Sequence, residues 1–222
     1  MTVLITGANR GIGRELARHY AEAGEDVIGT TRGAVPEGMP ASIRWVTLDV
    51  TDQASLDDLA VRLDGIDLSL LVCNAGVNLG KGQSVAKGYA AGLWADTFAV
   101  NVGGVFGTVQ AALPALKAGA GGRIGIIASK MGANASASGG ALIYRASKAA
   151  AINLASNLAV DLAGDGIAVG AYHPGWVRTD MGGPNGDIDA ATSAKGLIAC
   201  FTRLGPGHTG VFENYDGTPL AY

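Results

Sequence analysis

The sequence is poor in the residues that mark disulfide-stapled, metal-bound or membrane-inserted proteins. Two cysteines in 222 residues, Cys73 and Cys200, are too few for a disulfide framework. Cys73 lies inside an apolar run and reads as a small core residue. The three histidines, His19, His173 and His208, lack metal-ligand spacing, so no metal site is expected. No basic cluster of four or more residues occurs and the net charge is −3, which argues against nucleic acid and anionic membrane as partners. The chain opens on an apolar strand, Val3-Leu4-Ile5, with no charged segment before it and no long apolar run after it. We therefore expect no signal peptide, no membrane span and a cytoplasmic location.

Apolar residues and glycine are plentiful. At 48% hydrophobic and 16% charged the chain is too apolar for disorder, and its 35 glycines are scattered rather than gathered into a linker. Short apolar strands alternate with helical patterns nearly throughout. Strands are predicted at 3–6, 26–31, 43–48, 68–73, 123–128, 167–172 and around 210–212. Helices are predicted from the glycine turn to Gly24 and over 52–63, 89–116, 144–163 and 190–202. Strands apolar along their whole length, separated by helices, indicate a parallel sheet covered on both faces. With no repeat or linker to divide it, the chain is expected to form one doubly wound α/β domain over 1–222. That domain would be Rossmann-like, with about seven strands.

Two stretches carry chemistry. In the first, Ser129 follows the strand at 123–128, at the carboxyl end where open α/β sheets bind ligands. Tyr144 and Lys148, four apart on the next predicted helix, share one face. A phenol has a reference pKa of about 10, and a nearby ammonium favours its ionised form. A hydroxyl, a phenol and an amine so placed suit proton transfer to and from a bound oxygen. Ser136 and Ser138, in the loop before Tyr144, compete for the hydroxyl's role; the strand end holds Ser129 more rigidly.

The second stretch, Thr6-Gly7-Ala8-Asn9-Arg10-Gly11-Ile12-Gly13, joins the first strand to the first helix. Glycines there admit a tight turn and close approach of a pyrophosphate, and the helix N-terminus supplies free N–H groups. The second strand ends Thr30-Thr31-Arg32, without the carboxylate that would hold a ribose 2′-hydroxyl. Arg32 and Arg10 instead favour a 2′-phosphate, hence NADP(H) over NAD(H).

Together these residues resemble the short-chain dehydrogenase/reductase family across nearly the whole chain. Thr6-Gly7-x-x-x-Gly11-x-Gly13 is similar to its cofactor turn and Asp49-Val50 to its adenine-contacting pair. Asn74-Ala75-Gly76 resembles the segment that supports the sheet beside the cofactor. Tyr144-x-x-x-Lys148 resembles the active-site helix, and Pro174-Gly175-x-Val177-x-Thr179 the nicotinamide-side loop. The resemblance implies a catalytic group of Asn101, Ser129, Tyr144 and Lys148. In it Tyr144 is the acid/base, Lys148 lowers its pKa and holds the ribose, and Ser129 orients the substrate carbonyl. Asn101 would hold a water linked to Lys148, against the rival reading of a polar residue that packs a helix. Asp49, likewise, has the rival reading of a turn cap. Val177 and Thr179 would hold the nicotinamide carboxamide.

The run His173-Pro174-Gly175-Trp176-Val177 and the short C-terminal region look most like the small C-factor-like branch, which includes carbonyl reductases. That implies a carbonyl or alcohol substrate and a homo-oligomer, most simply a dimer. It also leaves open an NADP(H)-binding signalling protein with little catalytic role. Two features depart from the family pattern. The loop at 134–140 is enlarged, and the segment after Thr179 is short, suggesting a loosely lidded pocket. His173 and Trp176 are read as structural, and Asp180 and Met181 as possible substrate neighbours.

Overall fold

The computed structural model describes residues 1–119 and 121–222. Its seven strands are β1 (Thr2–Ile5), β2 (Asp26–Thr31), β3 (Arg44–Thr47), β4 (Leu68–Cys73), β5 (Arg123–Ile127), β6 (Ala168–His173) and β7 (Val211–Asn214). All pair in parallel in the order β3-β2-β1-β4-β5-β6-β7. Chain order reverses between β1 and β4, and such a reversal opens a ligand crevice at the carboxyl ends of the strands. The six helices are α1 (Gly11–Glu22), α2 (Gln53–Arg62), α3 (Ala91–Phe98), α4 (Gly104–Ala118), α5 (Leu142–Asp161) and α6 (Ala190–Arg203).

Alternation along the strands makes two cores. Val3 and Ile5 of β1 and Leu70 and Val72 of β4 pack beneath α1 and α6, with Leu16, Tyr20, Leu197 and Phe201. Leu4, Leu71 and Ile126 face the other way, under Val105, Val109 and Leu116 of α4 and Ile152 and Ala155 of α5. Side chains successive along a strand point to opposite faces, so one apolar strand feeds both cores. Helix starts follow local chemistry. Asp52 accepts from Ser55 N at 3.0 Å to cap α2, and Asp189 accepts from Thr192 N at 2.7 Å to cap α6.

The helix predicted over 89–116 departs from expectation. It is two helices joined by a π-helical turn, Ala99–Gly103, with buried Asn101 at its centre. Such single-turn widenings of an α-helix occur mostly at functional sites. The 28 residues Ala91–Ala118 are also apolar and long enough to cross a membrane, contrary to the expectation of no such segment. Here their buried face, with Val105, Val109, Ala112 and Leu116, belongs to the core.

Candidate active site

The turn between β1 and α1 is knitted by backbone and small side chains. Thr6 Oγ1 accepts from the N–H groups of Asn74 and Ala75, each at 3.0 Å. Asn74 Nδ2 donates to the carbonyls of Thr6 and Gly7 at 2.9 and 3.0 Å. Gly7 N donates to Thr30 Oγ1 at 3.2 Å. The ends of β1, β2 and β4 are thereby fastened together. Gly7 and Gly11 have φ of +64° and +54°, a region that L side chains rarely adopt. Gly13 is required for a different reason: a Cβ there would lie 2.4 Å from both Gly7 O and Asn74 Nδ2.

Helix α1 starts from extended Arg10, and no side chain caps it. Its first-turn N–H groups are thus left for an anion, as expected of a dinucleotide site. They open on a cleft of about 650 Å³ whose floor includes Gly7, Asn9, Gly11 and Ile12. The same cleft is also lined by Val50, Asn74, Ala75 and Gly76 and by Pro174 and Thr179.

Arg10 and Arg32 both line the rim, as a 2′-phosphate would require. Each faces a carboxylate. Arg10 Nη1 donates to Asp180 Oδ2 at 2.7 Å, a pair 62% and 77% exposed and therefore weak. Arg32 lies 3.8 Å from Asp49 Oδ2. Asp49 Oδ1 is occupied by Thr51, accepting from its N–H at 2.9 Å and its hydroxyl at 2.7 Å. Those bonds, helped by Arg32, hold the Asp49 carboxyl below its ordinary pKa. Asp49 therefore does cap a turn while also bordering the cleft.

Across the cleft stand the residues after β5. Ser129 is buried, and its Oγ accepts from Met131 N at 3.2 Å. Helix α5 starts at Leu142, so Tyr144 falls in its first turn and Lys148 one turn on. Lys148 is only 5% exposed; its Nζ donates to Ile127 O at 2.8 Å and lies 5.8 Å from the Tyr144 ring centre. Burial brings the Lys148 ammonium down to about 8. The Tyr144 phenol sits above its ordinary value, because burial outweighs the opposing pull of the nearby Ser129 hydroxyl. The lowered phenol expected from the ammonium is therefore not seen: burial dominates.

Asn101 spends its amide on neighbours. Oδ1 accepts from Val77 N at 2.8 Å, and Nδ2 donates to Val77 O at 2.9 Å and to Ser147 Oγ at 3.0 Å. It fastens the loop after β4 to α5. The rival hydroxyls, by contrast, lie farther out: Ser136 and Ser138 are exposed.

The loop after β6 folds back on itself. Ser193 Oγ donates to Pro174 O at 2.6 Å, and Gly175 turns with φ +87° against Ile188 and Tyr215. Val177 is buried and bridges to Ile188, while the Thr179 hydroxyl accepts from Gly182 N at 3.1 Å. Trp176 Nε1 donates to Gly182 O at 2.9 Å, and Arg178 Nη1 donates to Gly186 O at 2.8 Å. Trp176 and Arg178 thus pin the short segment after Thr179. Asp180 and Met181 both border the cleft.

Three supports escaped the sequence reading: Thr30, Ser147 and the Ile127 carbonyl. Ser147 could have been noticed as the polar residue one before Lys148 on an Ala-rich helix. The others depend on the folded backbone and carry no local signal.

Comparison with known proteins agrees with this geometry. Residues 1–188 match the family model described as short chain dehydrogenase. The 1-hydroxy-2-glutathionyl-2-methyl-3-butene dehydrogenase of Rhodococcus sp. (strain AD45) is 34% identical, covering 100% of this chain and 99% of that protein. The C-signal protein of Myxococcus xanthus is 35% identical over 129 residues, 58% of this chain and 78% of that protein. Among solved structures, the NADPH-bound carbonyl reductase from chicken fatty liver has a TM-score of 0.89 and 30% identity. That match covers 100% of this chain and 98% of the reductase.

Proposed function

This chain belongs to the short-chain dehydrogenase family, and from that premise we propose that it is an NADP(H)-dependent carbonyl reductase. The observation that carries the reading is the meeting of Tyr144 and a buried Lys148 at the wall of a cleft floored by an uncapped helix N-terminus, with buried Ser129 following the wall residue Ala128.

The residues present fit a dinucleotide. First-turn N–H groups of α1 would hold its pyrophosphate, Arg10 and Arg32 a 2′-phosphate, and Thr179 and the Val177 backbone its carboxamide. When bound, the cofactor supplies the hydride. The protein supplies the rest. Ser129 Oγ orients the carbonyl oxygen, and Tyr144 Oη donates the proton to it. Burial holds the Tyr144 phenol above its ordinary pKa, so its proton leaves only as a counter-charge offsets that burial. Lys148, charged below about pH 8, stabilises the phenolate left behind and holds the ribose hydroxyls. Asn101 keeps its place beside Lys148 by anchoring Val77 and Ser147. Free, buried Cys73 and Cys200 suit a reducing cytoplasm. Phe106 of α4 and Val160 of α5, 43% and 75% exposed, offer faces for dimer contacts.

A second reading, an NADP(H)-binding signalling protein, draws on the likeness to C-signal. NADPH oxidation followed with a panel of aldehydes, ketones and diones separates the two. Turnover with at least one carbonyl is expected. Tight NADPH binding with no turnover across the panel would favour the signalling reading.

A further inference from the structure

The connection from β5 to α5 contains the one non-glycine residue with positive φ among the described residues, Ala141 at +46°. It follows Gly139 at +73° and Gly140 at +66°, so three successive residues are left-handed immediately before the helix that carries Tyr144. For alanine this conformation is strained, and it persists only where the surroundings enforce it. One side chain, that of Arg145, grips the two residues before Ala141. Arg145 Nε donates to the carbonyls of Gly139 and Gly140 at 3.2 and 3.1 Å. Its Nη1 donates to Met131 O at 3.1 Å and Ser136 O at 3.0 Å, and its Nη2 to Ser138 Oγ at 2.5 Å.

Every nitrogen of the guanidinium is thus spent on the loop, none on a carboxylate. The Met131 contact matters most. Met131 presents its carbonyl to Arg145 and its N–H to Ser129 Oγ, so Arg145 reaches Ser129 through one residue. In the chain it adjoins Tyr144. We infer that Arg145 is the positioning residue of this site, fixing the distance between the Ser129 and Tyr144 hydroxyls by pinning the loop that joins them. Arg145 does not line the cleft. The inference rests on the assignment of Tyr144 and Ser129 to carbonyl reduction.

Three variants of the full chain test it: Arg145→Met, Arg145→Lys, and Ala141→Gly in the Arg145→Met background. Arg145→Met keeps the apolar stem and removes every donor. It is expected to lower kcat by about 10²-fold, the usual cost of an ångström of misplacement, with NADPH affinity held within about twofold. Arg145→Lys keeps the charge but not the planar fork, and is expected to recover no more than about tenfold of that loss. Glycine at 141 relaxes the left-handed turn and is expected to recover about tenfold in the Met background. Amide hydrogen exchange over 130–141 should quicken in Arg145→Met, Met131 included, while Ala151–Ala159 of α5 stays protected.

The inference is overturned if Arg145→Met keeps wild-type kcat, or if kcat and NADPH affinity fall together. It is equally overturned if Ala141→Gly restores nothing. Should Arg145→Met not fold, wild-type kcat in Arg145→Lys would refute the claim. If the wild type reduces no carbonyl, the functional proposal fails while the exchange measurement still judges whether Arg145 holds the loop.

Discussion

The β1–α1 turn and the β5–α5 connection flank one cleft but are held by opposite means. The first is short and is fixed by backbone groups, glycines, two threonine hydroxyls, Thr6 and Thr30, and the Asn74 amide. No charged side chain takes part, and the one ion pair at its edge, Arg10–Asp180, is exposed. The second runs from Ala128 to Ala141, contains a strained alanine, and encloses a buried ammonium. A cofactor common to many reactions needs only a cradle, which backbone provides. Proton transfer needs a poised phenol and amine, whose burial costs stability. On the proposed reading, the cradle side is built to be stable and the side that carries Tyr144 to be reactive.

Lys148→Met breaks that contrast most severely. Turnover should fall by about 10²–10⁴-fold as the phenolate loses its counter-charge. Stability should move the other way. Lys148 titrates at about 8 in the fold against 10.5 for the free side chain. Between those values the unfolded chain binds more protons, so stability climbs with pH across that window and the charged amine costs stability below it. The cost is on the order of 3 kcal/mol, partly offset because methionine would leave the Ile127 carbonyl unpaired. At pH 7 we expect a Tm gain of about 2–4 °C by scanning calorimetry. A lower Tm would contradict the contrast.

Arg32→Asp sharpens the cradle side. If Arg10 and Arg32 together receive a 2′-phosphate, NADP affinity should drop about 10–100-fold, the worth of a charge-assisted contact, and NAD affinity little. Equal losses in fluorescence titrations would remove the preference. Gly13→Ala should cost about 1–3 kcal/mol in urea unfolding, since its Cβ must displace Asn74 Nδ2 and the Gly7 carbonyl. An unchanged midpoint would show that the turn yields more than its packing implies.

The smallest expected effect concerns His173, which the account leaves without a chemical role. Burial, aided by Lys130, brings it down to about 4 from 6.5. The unfolded chain therefore binds the extra proton first as pH falls, and stability is lost between 6.5 and 4. His173→Gln should flatten that loss by about 1–3 kcal/mol in urea melts at pH 7 and pH 4.5. Parallel curves for the two proteins would rule this out.

Much of the fold was legible because the central strands β1, β4 and β5 are largely apolar and helices such as α1 and α6 carry one apolar stripe. Both signals survive into the two cores around Leu4 and Val3. The glycine turn and the Tyr144–Lys148 spacing were legible because they are local. The π-helical turn at Ala99–Gly103 was not, since an extra residue in one helical turn leaves the apolar composition unchanged. Nor were the carboxylates facing the arginines: Asp180 is 170 residues from Arg10, and no spacing rule links them. The raised pKa of Tyr144 also lay outside the sequence. The spacing of Tyr144 and Lys148 was visible, whereas the burial that raises the phenol belongs to the folded chain. Arg145 is the clearest case, because its partners are carbonyls whose positions only the loop's conformation defines.

The most direct test of the account is the single-turnover rate of NADPH oxidation by Tyr144→Phe with a carbonyl that the wild type reduces. Removing the phenolic proton should slow that step by about 10²–10⁴-fold while NADPH binds as before. A rate near that of the wild type would contradict the assignment of the proton donor, and with it the proposed chemistry.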